Sequence, residues 1–304
     1  MPLQPLWESH EMYQRSFQAL IDNSTARGPA ILNFTQDGIR QAMLKIIDKM
    51  NIDEPLKVLG IGSGSGENDL LILQTMAEIL VSQKKKRPAI HNVIVEPSSV
   101  LLDQFKMKAS SLPSSLKSVA NVSFESQQKT FSEFNQETSI EKKSFDFIHF
   151  VHSIRYSDLE LALRSCFEQW LKAEHGVVVC YVHTENSYLA KVSKKFKGKL
   201  SCGSEVMAFY THEELAAIAE KNSWNYCVPL KEKYQINVTA CLLKQTSAES
   251  DPLIDFLSHQ QNFRANAEQE LFNSWMEMTE SLAFTDDNDE KFVAGENAVV
   301  IINK

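Results

Sequence analysis

The chain has 304 residues, of which 43% are hydrophobic and 23% charged, and these values are typical of an ordinary globular protein. Its 31 basic and 39 acidic side chains give a formal net charge of −8, which argues against a dedicated binder of nucleic acid or anionic lipid. The N-terminal residues carry no secretory signal pattern, and no segment reaches the roughly 18 consecutive apolar residues of a membrane helix. We therefore expect a cytoplasmic protein, either an enzyme or an interaction module.

The cysteines and the basic residues give two further expectations. The five cysteines form no CxxC pair, so we predict reduced thiols, with neither a disulfide framework nor a metal site. Residues 84–87 (Lys-Lys-Lys-Arg) form a basic cluster, which we interpret as a solvated loop in an acidic protein. A nucleic-acid or localisation role for this cluster is the alternative.

The pattern of apolar residues predicts helices first and then an alternation of strands and helices. Apolar residues at helical spacing predict a first helix that contains Tyr13 and Phe17 and ends at residues 22–24, and a second helix over 31–50. Short apolar runs then predict strands at 56–61, 92–95, 122–124, 145–150 and 176–181. Helical patterns predict helices at 69–81, 101–107 and 159–171.

Short strands that alternate with helices are typical of βαβ units. The sequence therefore predicts an α/β fold with a mainly parallel, doubly wound sheet. The C-terminal part predicts helices at 212–221 and 252–257 and strands at 236–243 and 299–302. No internal period of 20–50 residues is visible, which argues against a repeat array.

A glycine-rich loop follows the strand predicted at 56–61, and it has the sequence Gly62-Ser63-Gly64-Ser65-Gly66. Glycines allow positive φ and close approach of a ligand, and the N–H groups at a helix start suit polar or anionic groups. The dinucleotide pattern G-x-G-x-x-G is not met, because Glu67 stands where its third glycine belongs. No Gly-Lys-Ser/Thr follows, so a Walker loop is excluded as well. A tight turn without a ligand is the alternative.

The spacing G-x-G-x-G, with Glu96 at the end of the strand predicted at 92–95, resembles the class I S-adenosylmethionine-dependent methyltransferases. A carboxylate suits this position because it can accept hydrogen bonds from both hydroxyls of the cofactor's ribose. The resemblance implies a Rossmann-like class I methyltransferase core. It also implies S-adenosylmethionine as the cofactor and S-adenosylhomocysteine as its product.

Longer segments at 57–70, 95–98 and 145–149 resemble the histamine N-methyltransferase family, and the resemblance spans nearly the whole chain. Most methyltransferases carry an acid at the position of Gly60, whereas this family has a small residue there. The resemblance implies a monomer with one methyltransferase domain over 1–304. Its cofactor core is expected at about 52–183, and its smaller substrate-binding lobe at 1–50 and about 184–304.

The resemblance and the glycine loop together predict the residues of the site. The predicted cofactor contacts are Gly62, Gly64, Gly66, Glu96, Ser98 and Val151. The aromatic walls of the amine pocket are predicted to be Tyr13, Phe17, Tyr156 and Phe256. For these aromatic residues, plain core packing is the alternative, because amphipathic helices produce such stripes routinely.

The polar groups that hold histamine in this family are not retained. The family's pocket glutamate aligns with Ala26, its glutamine with His152, and one of two consecutive tyrosines with Arg155. A site built to hydrogen-bond a polar group discriminates by roughly 10⁴ against analogues that lack it. We therefore predict an acceptor other than histamine, namely another small amine or imidazole compound.

His152 and Arg155 are the candidate polar residues of the acceptor site. His152 is predicted at the carboxyl end of a strand, where an imidazole can act as a base or as a polar anchor; a histidine at the pocket rim is the alternative. Arg155 can pair with a carboxylate, as in an amino acid or a carnosine-type dipeptide; a surface salt bridge is the alternative. A cofactor-binding protein without activity, and a methyltransferase for macromolecules, stay open as other classes.

Overall fold

The computed structural model describes residues 3–51, 54–84, 87–137, 141–201, 208–243 and 250–304. Residues 85 and 86 of the basic cluster, and Cys202, lie outside these ranges. The helices are α1 (His10–Asp22), α2 (Arg27–Asn33), α3 (Ile39–Met43), α4 (Glu67–Lys84), α5 (Ser99–Ser110), α6 (Ser114–Val119), α7 (Phe131–Asn135), α8 (Leu159–Arg164), α9 (Tyr188–Lys195), α10 (His212–Lys221), α11 (Ser250–Ser258), α12 (Phe263–Asn266) and α13 (Gln269–Leu282). The strands are β1 (Ser24–Thr25), β2 (Leu56–Ile61), β3 (Ala89–Val95), β4 (Asn121–Gln127), β5 (Phe147–Val151), β6 (Val177–His183), β7 (Asn225–Asn237), β8 (Phe284–Thr285) and β9 (Lys291–Asn303).

The described residues divide into two compact units. The larger unit contains Ile31–Val182, His212–Lys231 and Ala298–Lys304. The smaller unit contains the described parts of Met1–Ala30, His183–Thr211 and Glu232–Asn297. Across the ranges that the structure describes, no helix combines the length and the apolar character that a membrane span requires.

The larger unit is built on a sheet with the strand order β7-β9-β6-β5-β2-β3-β4. The pairs β2–β3, β2–β5, β3–β4 and β5–β6 are parallel, and helices occupy the connections between these strands. Parallel strands require such crossovers, because their ends cannot be joined by a tight turn. The predicted α/β fold with a mainly parallel sheet is therefore confirmed.

Both faces of this sheet are covered by apolar residues, as the doubly wound prediction requires. On one face, Val177, Val179 and Tyr181 of β6 belong to an apolar cluster with residues of α3 and α4. On the other face, Phe150 of β5 packs against Phe131 of α7 with ring centroids 5.8 Å apart. Successive side chains of a strand point to opposite faces, so these strands are apolar on both sides rather than alternating with polar residues.

Three predicted elements differ from the structure. The helix predicted at 31–50 is interrupted by a π-helical segment, Phe34–Gly38, and the helix predicted at 159–171 ends in another, Ser165–Trp170. In the second, the N–H of Leu171 donates to the carbonyl of Cys166, five residues back. Apolar spacing does not distinguish such a turn from an α-helical one, because both place similar residues on the buried face.

The strand predicted at 236–243 is wrong for most of its length. The observed strand β7 ends at Asn237, and Ala240–Leu242 form a 3₁₀ turn. The side chain of Asn237 accepts a hydrogen bond from the N–H of Thr239 at 2.9 Å. This side-chain turn ends the strand because it directs the backbone N–H away from the sheet.

The smaller unit has an apolar core of its own, which includes the fully buried side chains of Tyr188, Phe263 and Trp275. Within it, Asp255 of α11 closes the connection to α12. Its carboxylate accepts hydrogen bonds from the N–H groups of Asn262 at 3.0 Å and Phe263 at 2.8 Å. Burial raises the pKa of Asp255 to about 6.

The buried Asp255 predicts a measurable dependence of stability on pH. Its pKa in the folded protein, about 6, is above the ordinary value of 3.8, so the proton binds the folded state more tightly. The stabilisation from this proton is fully present below pH 3.8 and is lost as the pH rises through 6. When the pH is lowered from 7 to 5, we expect the free energy of unfolding of the wild type to rise by about 1 kcal/mol more than that of Asp255→Asn. Urea unfolding of both proteins at the two pH values measures this difference, and parallel changes would contradict it.

Candidate cofactor and acceptor site

The glycine loop follows β2 and leads into α4, and all three of its glycines have positive φ. The values are +66° at Gly62, +57° at Gly64 and +87° at Gly66, a region that other residues rarely adopt. A Cβ atom at Gly62 would lie 2.4 Å from the Cβ of Ser153, and one at Gly66 would lie 2.6 Å from the ring of Phe105. A Cβ at Gly64 would meet no atom within 4 Å, so Gly64 faces open space.

Glu96 follows β3 and is tied to the glycine loop. Its Oε2 accepts a hydrogen bond from the N–H of Gly64, and its Oε1 accepts one from the N–H of Ser98, both at 2.9 Å. The side chain is buried, and burial raises the pKa of its carboxyl group. Each oxygen keeps a lone pair that these backbone bonds do not use, so the carboxylate can still accept from two ligand hydroxyls.

Ser98 and Val151, the two other predicted cofactor contacts, lie at the same edge of the sheet as Glu96. Ser98 is the N-cap of α5, where its Oγ accepts a hydrogen bond from the N–H of Leu101 at 3.3 Å. Val151 is the last residue of β5 and is half-buried. The carboxyl ends of β2, β3 and β5 therefore carry all six predicted cofactor residues, at the edge where open α/β sheets bind ligands.

His152 follows β5 with an unusual backbone conformation, φ +56°. Its N–H donates to the carbonyl of Tyr181 at 3.0 Å, and its ring lies edge-on to the Tyr181 ring with centroids 4.9 Å apart. A left-handed conformation costs a residue other than glycine about 1–2 kcal/mol, and such conformations are concentrated at functional sites. The side chain is half-buried, so an imidazole accessible to a ligand stands at this edge of the sheet.

Arg155 and Tyr156 follow His152 in a 3₁₀ turn, Ile154–Tyr156. The Nη2 of Arg155 donates to the hydroxyl of Tyr156 at 2.7 Å, and its Cζ lies 4.7 Å from the centre of the Tyr156 ring. Arg155 is buried, whereas the Tyr156 side chain is 44% exposed. Arg155 therefore lies below the surface, in contact with Tyr156.

The other three predicted aromatic residues form a cluster in the smaller unit. Tyr13 stacks on Phe17 with ring centroids 6.2 Å apart, and Phe256 lies 6.1 Å from Tyr13 and 5.8 Å from Phe17. Arg27 was not predicted, yet its Cζ lies 5.2 Å from the centre of the Phe17 ring. A guanidinium over an aromatic face makes a favourable cation–π contact. The predicted acceptor residues are thus divided, with three in each unit.

The family of the chain follows from the fold and from this loop. Residues 34–227 match the methyltransferase domain family, and the chain belongs to that family. It is an S-adenosylmethionine-dependent methyltransferase with a Rossmann-like class I core. Over nearly its full length, the chain is a distant homologue of the histamine N-methyltransferases.

Individual relatives show how distant this homology is. The chain is 27% identical to histamine N-methyltransferase A of Xenopus laevis over 303 residues, which cover 99% of this chain and 97% of that protein. It is 25% identical to carnosine N-methyltransferase 2 of Gallus gallus over 84% of this chain and 75% of that protein. A solved structure, the cyclopropane-fatty-acyl-phospholipid synthase-like protein of Lactobacillus casei ATCC 334, matches with a TM-score of 0.50 and 16% identity. That match covers 99% of this chain and 96% of the other, and it supports the fold alone.

The residues at the sheet edge fit S-adenosylmethionine. Gly64 faces open space, and Glu96 presents a carboxylate that backbone N–H groups hold in place. Sequence patterns did not identify Ser153, whose Oγ donates to the carbonyl of Ile61, or Phe105, which packs on Gly66. At Gly62 and Gly66, a distant side chain fills the space that a Cβ atom would occupy. Such packing partners have no local sequence motif, so sequence patterns could not identify them.

Proposed function

We propose that the protein is an N-methyltransferase that acts on a small amine or imidazole compound other than histamine. The proposal rests on the aromatic cluster of Tyr13, Phe17 and Phe256. The same chain also has the residues proposed to bind the cofactor. Aromatic faces attract cationic amines, and each such contact contributes about 0.5–2 kcal/mol. The named relatives that methylate histamine and carnosine support a nitrogen acceptor.

The cofactor residues have separate tasks in this proposal. Gly62, Gly64 and Gly66 let the backbone approach S-adenosylmethionine, and Glu96 accepts hydrogen bonds from its ribose hydroxyls. Ser98 and Val151 complete the contacts at the ends of β3 and β5. When bound, S-adenosylmethionine supplies an electrophilic methyl group on a sulfonium. The remaining task of the chain is to orient the acceptor nitrogen and exclude water, which can contribute roughly 7–11 kcal/mol.

His152 is proposed as the base or polar anchor for the acceptor nitrogen, which must be unprotonated when it reacts. We expect His152→Asn to lower kcat/KM about 100-fold, because general bases contribute at least this much and asparagine tolerates the left-handed backbone. The melting temperature should stay unchanged. His91→Asn, at a half-buried position on β3, is the control. Unchanged kcat and KM in His152→Asn would exclude His152 from the mechanism.

A carboxylate-bearing acceptor, such as an amino acid or a carnosine-type dipeptide, is the second candidate. Two arginines favour it, because Arg155 is buried beside Tyr156 and Arg27 stands over the Phe17 ring. Ala26, next to Arg27, replaces the glutamate that the family resemblance predicts. Without this glutamate, no acid at position 26 would repel a carboxylate that approaches Arg27.

The two arginines allow this second candidate to be tested. We expect Arg155→Gln or Arg27→Gln to raise KM about 10-fold for carboxylate-bearing acceptors and to leave KM for plain amines unchanged. Arg40→Gln removes an exposed charge elsewhere in the chain and serves as the control. An equal effect on both kinds of acceptor would contradict a role in carboxylate recognition.

A binding and turnover screen tests the proposed function as a whole. S-adenosylhomocysteine at about 100 times its Kd should stabilise the protein by about 2.7 kcal/mol. Turnover is then measured with histamine, carnosine, histidine, arylamines and alkylamines. Methylation of an alkyl- or arylamine but of no imidazole would reject the imidazole branch. Binding of S-adenosylhomocysteine without turnover would favour a non-catalytic protein, and labelling of a protein or nucleic-acid extract by labelled S-adenosylmethionine would favour a macromolecular acceptor.

The proposed location and state of assembly follow the same family. We propose a cytoplasmic monomer without nucleic-acid or membrane partners. Sedimentation velocity of the purified protein measures the state of assembly, and a dimer at micromolar concentration would contradict this part of the proposal.

A further inference from the structure

Beneath the glycine loop lies a group of buried polar side chains that the cofactor contacts do not include. Asp69 of α4 and His149 of β5 are both only 2% exposed, and Asp69 Oδ1 lies 3.5 Å from His149 Nε2. Asn92 of β3 is a third fully buried polar side chain beside this carboxylate. Burial disfavours the charged form of both groups, because it raises the pKa of Asp69 and lowers that of His149. Stability alone therefore does not account for this group.

Asp69 reaches the glycine loop through one hydrogen bond. Its Oδ1 accepts a bond from the Oγ of Ser63 at 2.8 Å. Ser63 stands between Gly62, whose N–H donates to the carbonyl of Val95, and Gly64, whose N–H donates to Glu96. The hydrogen bond to Asp69 therefore fixes the side chain of Ser63. This residue lies between Gly62, whose N–H ties the loop to β3, and Gly64, whose N–H ties it to Glu96.

The position of Asp69 explains why residue 60 is a glycine. A Cβ atom at Gly60 would lie 2.6 Å from Asp69 Oδ1, 2.5 Å from Ser63 Oγ and 3.0 Å from the His149 ring. The Asp69 carboxylate thus occupies the space that a side chain at position 60 would enter. In this chain, the acid that fills this space therefore comes from the helix, because residue 60 of the strand has no side chain.

We propose that Asp69 is a positioning residue of the cofactor site, which holds the glycine loop in its binding conformation through Ser63 and replaces the acid that residue 60 does not supply. The inference rests on the proposed function, since it concerns the binding of S-adenosylmethionine. Asp69 acts through Ser63 because its own side chain is almost completely buried. His149 lies beside the carboxylate on β5, and the side chain of Asn92 is buried next to it on β3.

The first test separates loop positioning from general stability. S-adenosylhomocysteine binding is measured by calorimetry, and melting temperatures are measured in parallel, for Asp69→Asn and the wild type. We expect a Kd about 10-fold higher in Asp69→Asn, because the hydroxyl of Ser63 then donates to a neutral amide oxygen and the hydrogen bond is weaker. The melting temperature should be unchanged or higher, because burial disfavours the charge of Asp69 and raises its pKa. A lower melting temperature with an unchanged Kd would show a purely structural role and overturn the proposal.

The second test asks whether the effect passes through Ser63. We expect Ser63→Ala to raise the Kd by a similar factor, and the double variant Asp69→Asn/Ser63→Ala to differ from the weaker single variant by less than about 2-fold. A Kd in the double variant equal to the product of both single effects would overturn the route through Ser63. Glu78→Gln, on the exposed face of the same helix, should bind as the wild type does.

The third test moves the acid from the helix to the strand. Gly60→Asp alone should bind S-adenosylhomocysteine poorly, because two carboxylates would share one space. Gly60→Asp combined with Asp69→Ala should bind at least about 5-fold more tightly than Asp69→Ala alone. A combined variant that has the melting temperature of Asp69→Ala and yet binds S-adenosylhomocysteine no more tightly would contradict the proposal that an acid at residue 60 can replace Asp69. Failure of the wild type to bind would overturn the proposed function as well, whereas equal binding by the wild type and Asp69→Asn would overturn only this inference.

Discussion

Replacement of Glu96 by glutamine is expected to weaken the binding of S-adenosylhomocysteine about 100-fold or more, because two charge-assisted hydrogen bonds depend on the carboxylate. In the structure, both oxygens already accept N–H groups, from Gly64 and Ser98, each at 2.9 Å. An amide would direct its NH₂ group toward one of these donors, so the variant should lose the proposed contact with the ribose and should also disturb the loop. Isothermal titration calorimetry measures the change in Kd.

The neighbouring strand offers a matched control for Glu96. Glu125 lies on β4, its side chain is 47% exposed, and it pairs with His91. Glu125→Gln removes the same charge near the same sheet edge and should leave the Kd unchanged. Wild-type affinity in Glu96→Gln would contradict the assignment of Glu96 to the ribose.

The affinity for S-adenosylhomocysteine should also depend on pH in a direction set by Glu96. We propose that its charged form accepts the ribose hydroxyls, and burial raises the pKa of its carboxyl group above the ordinary value of 4.5. As the pH falls, the affinity should therefore decline before an ordinary glutamate would protonate. Calorimetry across this range measures the decline, and Glu96→Gln should show a flatter profile.

Alanine at Gly62 is expected to act mainly on stability, whereas alanine at Gly64 is expected to act mainly on cofactor binding. Gly62→Ala places a Cβ 2.4 Å from that of Ser153 at φ +66°, and it should reduce the free energy of unfolding by about 3 kcal/mol. Gly64→Ala meets no atom within 4 Å, so it should cost only the backbone strain of about 1–2 kcal/mol. Its methyl group enters the space that we assign to the cofactor, so its Kd should rise more than about 10-fold.

Urea unfolding and calorimetry on the two glycine variants separate these effects. Because both glycines have positive φ, each variant is the control of the other for backbone strain. Stability lost equally in both variants would contradict the close packing at Gly62. Unchanged affinity in Gly64→Ala would contradict the placement of the cofactor beside this glycine.

The sequence predicted the larger unit well because its signals are local. Strands such as β2 and β6 are short apolar runs, and the loop from Gly62 to Gly66 follows β2 directly. The position of Glu96 at the same edge follows from topology, since parallel strands bring their carboxyl ends together. These features need only periodicity, glycine spacing and the rules for βαβ units.

Features that depend on distant residues were not predicted. Asp69 occupies the space beside Gly60, and Ser153 closes the space beside Gly62, but neither pairing has a local signature. Arg27 is far in sequence from Phe256, although both contact Phe17. The helices α9 and α13 were missed as well, although each has one apolar and one polar face, the pattern that predicts a helix. They lie in a unit without the regular strand alternation that guided the prediction of the larger unit.

The hydrogen bond between Gly64 and Glu96 has a kinetic consequence. A loop that is already fastened to the neighbouring strand loses little conformational entropy when a ligand arrives, so preorganisation favours affinity. Association should then be a single step, at an ordinary rate of about 10⁵–10⁷ M⁻¹ s⁻¹, without a slow ordering phase. In stopped-flow measurements, an observed association rate that increases linearly with ligand concentration would indicate a preformed binding loop. A plateau in this rate would indicate a loop that must first rearrange.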